Sequence, residues 1–207
     1  ARPTGIEVVH SLGRTRARRA AICAGPWADR LAVAAGADPD PRVVPFRGAY
    51  LRLRPERSGL VRSNIYPVPD PALPFLGMHL TRTITGEVLL GPTALFAGAR
   101  DAYRLGRVVP RDLAESLAWP GTRRMMRRFW RTGLTEIGHA VSRRSFVAEC
   151  RRYIPEMQLG DVVPSGRAGV RAQAIARDGS LVDTITLGRR TGHDATVLIA
   201  RLAALGL

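Results

Sequence analysis

From Arg42 onward the chain is broken into short β-like runs, at residues 43–46, 50–53, 65–68, 76–83 and 87–90. Pro, Gly and Asp stand between them in RPERSG, PVPDPALP and ITGE, and this punctuation predicts an antiparallel sheet. Helical spacing takes over at 110–118 (PRDLAESLA), 121–133 (GTRRMMRRFWRTG) and 135–154, and β-like sequence returns at 168–187. Strands grouped apart from helices place the chain in the α+β class. The helix at 121–133 sets Met125, Met126, Phe129 and Trp130 against five arginines. It reads as a core-facing stripe with a solvated back, in preference to a membrane-surface helix.

The first forty residues have another character. Residues 6–9 and 17–24 read as strands, the second ending in Ala24-Gly25-Pro26. Residues 26–35 have helical spacing, with Trp27, Leu31 and Ala34 along one side. Strand, glycine, helix is the layout of a nucleotide-binding α/β half, which aims helix N-terminal amides at an anion. An ordinary βα turn looks the same. Residues 194–205 read as a final helix. The division expected is therefore 1–41, an α/β remnant; 42–183, an α+β domain; and 184–207, a C-terminal strand and helix.

The formal charge is +15, and all 32 basic residues are arginine. They are spread along the chain without a basic stripe interleaved with aromatics, so no nucleic-acid partner is expected. A peripheral contact with anionic lipid at the inner face of a cell membrane stays open. No run of eighteen uncharged apolar residues exists to span a bilayer. Cys23 and Cys150 are far apart, and the four histidines show no HxH or HxxxH pairing, so neither a disulfide framework nor a zinc site is expected. A cytoplasmic location is the simplest reading.

Four segments hold polar groups in restrictive surroundings. Pro45-Phe46-Arg47-Gly48 puts an arginine beside a glycine, which permits close approach by a ligand or by another strand. Residues 64–71 (NIYPVPDP) are stiffened by three prolines and belong at an edge or in a loop. Residues 74–81 (PFLGMHLT) carry His79 in an apolar strand, by itself most simply a structural histidine. In residues 168–182 (AGVRAQAIARDGSLV), alternation puts Arg171 and Gln173 on one face, and Asp178-Gly179 forms a tight turn.

The phrases FRGAYLRL, NIYPVPDPALPFLGMHLTRTITGEVLLGP and AGVRAQAIARDGSLVD closely resemble the FAD-dependent L-2-hydroxyglutarate oxidases and dehydrogenases, within the D-amino-acid-oxidase-like flavoproteins. The likeness runs from about Ile22 to Asp183. It implies a substrate domain whose sheet roofs a flavin, and oxidation of L-2-hydroxyglutarate to 2-oxoglutarate with FAD as cofactor. By the same resemblance Arg171 grips the substrate carboxylate, a role that suits a planar, always-charged fork of donors. Gln173, Tyr66 and Arg47 are then expected to bind substrate, and Gly25 and Trp27 to meet the cofactor; His79 is the candidate base on chemical type alone. The partners implied are a 2-hydroxy dicarboxylate and an electron acceptor, oxygen or a quinone.

The chain also departs from that family. No GxGxxG fingerprint occurs, and residues 184–207 lack the segment whose backbone meets the flavin ring. The resemblance therefore implies a fragment, whose face for the absent domain would invite homo-oligomers. The alternative from another class is a non-catalytic module that binds a carboxylate or a partner.

Overall fold

The computed structural model describes residues 6–68, 77–182, 186–190 and 196–201. A hairpin comes first, β1 (Ile6–His10) with β2 (Gly13–Ala17), followed by β3 (Arg19–Ile22). A 3-10 turn at Gly25–Trp27 leads into α1 (Ala28–Ala34). The long strand β4 (Arg42–Leu53) absorbs two of the expected runs. Next come β5 (His79–Arg82), β6 (Val88–Gly91) and the two-residue β7 (Leu95–Phe96). The helices are α2 (Pro110–Ala118), α3 (Pro120–Arg128), α4 (Trp130–Val141) and α5 (Arg143–Cys150). Strands β8 (Val162–Ile175), β9 (Leu181–Val182), β10 (Thr186–Arg190) and β11 (Thr196–Arg201) close the chain.

The main sheet has the order β5-β6-β4-β8-β9 and is antiparallel throughout, with β7 pairing β4 beside β6. The α+β class holds. Its spine is the ladder of β4 with β8, from Arg42 opposite Ile175 to Leu53 opposite Val162, with a register shift between Ala49 and Leu51. The turn into β9 forms at Asp178-Gly179. Gly179 takes a φ of 91°, and Asp178 accepts from both the backbone N–H and the hydroxyl of Ser180.

Two sequence readings are corrected. Residues 194–205 were expected to be helical, but Thr196–Arg201 is a strand, paired antiparallel with β10 and parallel with β3; the flanking residues of that span lie outside the described ones. A short apolar run without alternation suits a buried strand as well as a helix, and β-branched Thr196, Val197 and Ile199 tilt it to strand. The helix read at 121–133 ends at Arg128, breaks at Phe129, and a new one starts at Trp130. The stripe expected to face the core is thus split: Met125 is buried, and Trp130 is exposed, as are Leu134, Ile137 and Val141 along the same side of α4. Ser142 then caps α5, its hydroxyl accepting the Ser145 N–H.

The larger core lies where α5 covers one end of the sheet. Leu53, Leu80, Val88 and Leu90 meet Phe146, Val147 and Cys150 there. A second cluster joins Val44, Phe46 and Ile175 to Met125 of α3. Cys150 packs against the Met78 sulfur at 3.0 Å, and burial pushes its thiol up to about 12. Cys23 is exposed. At about pH 8 a thiol reagent should therefore label one cysteine in the native protein and two after denaturation. Fast labelling of both without denaturant would contradict this packing.

Candidate active site on the antiparallel sheet

Arg171 stands on β8 directly opposite Phe46 of β4. Facing residues of an antiparallel pair project to the same side, so Arg171 shares a face with Phe46, while Arg47, opposite Val170, projects to the other. The structure thus parts two arginines expected to share a pocket. Arg47 donates from Nε to the Tyr103 carbonyl at 3.3 Å. Gln173 faces Val44 and is buried, its amide donating to the Ala174 carbonyl at 3.2 Å. It lies deeper in the sheet than Arg171.

His79, Tyr66 and Arg171 do come together. A bridge between Ile65 and Leu80 brings the preceding loop alongside β5, so that the Tyr66 ring stacks on His79 at 4.5 Å with 17° between planes. The Tyr66 hydroxyl shares a 3.2 Å hydrogen bond with Thr81 Oγ1. The stacked imidazole is buried, and its Nδ1 lies 3.2 Å from the Gly77 carbonyl. A carbonyl only accepts, so Nδ1 carries the proton and Nε2 keeps its lone pair. Burial holds the His79 pKa below the ordinary 6.5, the Gly77 hydrogen bond raises it somewhat, and the field of Arg171 lowers it further. The ring is therefore neutral at pH 7, with Nε2 unprotonated.

Tyr50 is the residue that sequence reasoning missed. Burial pushes its phenol above the ordinary 10, Tyr66 adds to this, and Arg171 opposes it, so all three groups share one electrostatic neighbourhood. Its ring also stands against Gly91, the β6 residue opposite His79. Period-two counting along FRGAY, from Phe46 through Gly48 to Tyr50, was the available signal. Gly48 itself answers to packing: a Cβ there would lie 2.8 Å from Cβ of Pro92, in the turn after β6. The close approach it permits is by neighbouring chain. Residues 69–76, part of the longest family-like phrase, lie outside the described residues.

Gly25 and Trp27 form the turn at the end of β3. Gly25 has φ 50°, and a Cβ there would meet nothing within 4 Å. Trp27 and Leu31 are exposed, so the expected apolar side of α1 faces outward while Ala28, Asp29 and Ala32 are buried. An open glycine beside an exposed indole suits the face of a planar ring. The diphosphate of FAD finds no such fit. Among the described residues no glycine-rich turn opens a helix, and α1 has only seven residues.

The pH dependence of His79 has a definite sign. Its folded pKa is depressed, so the stability it contributes is present above about 6.5 and is lost as pH falls through the folded pKa. His79→Gln should accordingly lose less stability than the parent between neutral and mildly acidic pH in denaturant titrations. Parallel pH profiles for the two proteins would refute the buried neutral imidazole.

A family model described as FAD dependent oxidoreductase matches residues 1–200. The L-2-hydroxyglutarate dehydrogenase, mitochondrial, of Nematostella vectensis is 47% identical over 178 residues, 86% of this chain and 39% of that protein. The protein of that name from Caenorhabditis elegans is 43% identical over 177 residues, 86% and 41% of the two chains. The L-2-hydroxyglutarate dehydrogenase of Escherichia coli (strain K12) is 43% identical over 161 residues, 78% and 38%. A crystal structure of glycine oxidase from Geobacillus kaustophilus superposes with a TM-score of 0.49 and 14% identity, over 98% of this chain and 41% of that one. The chain spans about two fifths of the length of the curated relatives it matches. With nearly all of its residues inside the family model, this chain belongs to the FAD dependent oxidoreductase family.

Proposed function

We propose that the chain is the substrate-binding part of a flavoenzyme that oxidises L-2-hydroxyglutarate to 2-oxoglutarate. One observation carries this: in a member of this family, Arg171, His79, Tyr66 and Tyr50 converge on one region of the antiparallel sheet. Arg171 binds the C1 carboxylate as a fork and fixes the orientation of C2. His79 Nε2 takes the hydroxyl proton, Nδ1 remaining on the Gly77 carbonyl. Tyr66 holds the imidazole plane by stacking, and the Tyr50 hydroxyl, keeping its proton, donates a hydrogen bond to the substrate oxygen. FAD, when bound, supplies the hydride acceptor, with Gly25 and Trp27 at its ring. Electrons leave to oxygen or a quinone. In this reading residues 1–41 belong to the cofactor-binding unit and 42–183 to the substrate domain.

A second reading is a carboxylate-binding module without catalysis, which a guanidinium fork on the sheet at Arg171 would serve equally well. Mixing the protein with FAD and removing the excess separates the two. A retained flavin absorption band, bleached anaerobically by L-2-hydroxyglutarate, supports the enzyme. Calorimetric binding of 2-oxoglutarate without retained flavin supports the module, and a protein that binds neither flavin nor 2-oxoglutarate would overturn both readings.

A further inference from the structure

A cleft of about 510 Å³ opens at the junction of α1, α2 and the start of β4. Arginine dominates its polar lining: Arg30 from α1, Arg42 from β4, Arg100 from the segment before α2, and Arg111 from α2. The carboxylates paired with these groups are Asp29, Asp112 and Glu115. Arg100 holds buried Asp29, and Arg30 holds Asp112. Glu115 is shared, lying 2.8 Å from Arg30, 2.9 Å from Arg111 and 3.8 Å from Arg100. Burial acts to raise its carboxyl, but hydrogen bonds from Arg111 and Arg30 hold it below the usual carboxylate range. It is therefore ionised at neutral pH and already fully engaged. None of Arg171, His79, Tyr66 and Tyr50 lines this cleft.

Four guanidinium groups thus meet three carboxylates, and the one without a counter-ion is Arg42. It is half-buried, and its side chain makes no ion pair or hydrogen bond among the described residues. A guanidinium drawn partly out of water without an anion bears an uncompensated desolvation cost. Two further lining residues carry buried polar atoms that have no hydrogen-bond partner, Ser116 at Oγ and Arg100 at Nε. The rest of the lining is largely apolar, with Val33, Ala118 and Trp119. Arg177, over the Trp119 ring at 4.9 Å, adds to the positive field.

We propose that this cleft binds a small organic oxyanion, a carboxylate or phosphate carried on an apolar body, separately from the candidate active site. Arg42 meets the oxyanion with its free fork of donors, the exposed Arg111 supplies a second cation, and Val33, Ala118 and Trp119 cover the body. One negative charge balances the cleft, whose volume lies in the usual range for small-molecule ligands. Three of the four cations are held in place by carboxylates, so little ordering is left to binding. The walls come from α1 on one side and from α2 and β4 on the other, so a bound anion stabilises the junction between them.

Isothermal titration calorimetry with hexyl phosphate, hexanoate and hexanol tests this at low ionic strength. At least one of the two anions should bind and raise the melting temperature, and hexanol should do neither. Whichever anion binds more tightly names the headgroup. Arg42→Gln/Arg111→Gln should weaken that binding about tenfold or more. Arg42 has no side-chain partner to lose and an exposed pair such as Arg111 with Glu115 is worth little, so far-UV circular dichroism should be unchanged. Arg171→Gln should bind the same anion as tightly as the parent, which separates this cleft from a carboxylate held at Arg171. In a Trp27→Phe/Trp130→Phe protein the anion should change the fluorescence of Trp119, a readout that needs no arginine variant to fold. Equal binding by the parent and Arg42→Gln/Arg111→Gln would overturn the proposal, as would hexanol binding as tightly as the anions. So would loss of binding in Arg171→Gln, or no binding of either anion.

Discussion

Replacing Arg171 with alanine is expected to weaken binding of 2-oxoglutarate, or kcat/KM in the FAD-loaded enzyme, by about 10²- to 10⁴-fold. That corresponds to about 3–5 kcal/mol, the scale for truncating one partner of a desolvated charge pair. The half-buried guanidinium stands beside a second row of polar rings, and its field reaches His79 and Tyr50. Lysine should recover little, since an ammonium cannot reproduce the planar fork. Removing Arg171 also removes one cause of the lowered His79 pKa, so the acid limb of the pH profile should move upward in Arg171→Gln. Calorimetry and pH-rate profiles check both. Unchanged affinity together with an unmoved acid limb would remove Arg171 from the site.

The second large effect concerns stability. Arg100→Leu should destabilise the fold by about 3–5 kcal/mol, because it strands a buried carboxylate. Asp29 of α1 is fully buried and binds Arg100 through both of its oxygens, with Nη2 to Oδ2 at 3.1 Å. Asp29 Oδ2 also accepts the Val43 N–H at the start of β4, and the Arg100 guanidinium reaches the Pro26 carbonyl. One ion pair therefore ties α1, the Gly25–Trp27 turn and β4 to the segment before α2. Arg30, bonded to Asp112 and Glu115, continues the junction into α2. A drop of roughly 10 °C in the melting temperature is expected, given ~2–4 °C per kcal/mol for a chain of this size. Asp29→Leu/Arg100→Leu should lose less than either single change, since no charge is then left alone. A melting temperature within about 2 °C of the parent for Arg100→Leu would show that water reaches the carboxylate.

The positions of strands and turns were legible wherever local chemistry is decisive. Asp178-Gly179 fixed a hairpin turn, and the helix read from Pro110 opens there, at a first-turn position where a missing N–H costs nothing. Residues 196–201 were not legible. TVLIAR has no alternation, and its pairing with β10 and with β3, the latter more than 170 residues earlier in the chain, selects strand over helix. The polarity of α4 was hidden for a related reason. Helical spacing tells which residues share a face, but the neighbouring turn at Ala94, with its N–H seeking an acceptor, decided that Glu136 points inward.

The candidate site divides in the same way. Residue types and phrases brought Arg171, His79 and Tyr66 into view, because a guanidinium, an imidazole and a phenol in apolar strands are chemically conspicuous. Which of them meet was settled by register. Cross-strand partners project to one side, so the β4·β8 pairing separates Arg47 from Arg171, and the rows linking β5, β6 and β4 bring Tyr50 toward His79. Sequence by itself determined the α+β class, the turn positions and the chemical inventory, since these depend on a few neighbouring residues. Tertiary structure alone decided the shared face, the outward stripe of α4 and the strand at 196–201, since each is set by backbone partners far away along the chain.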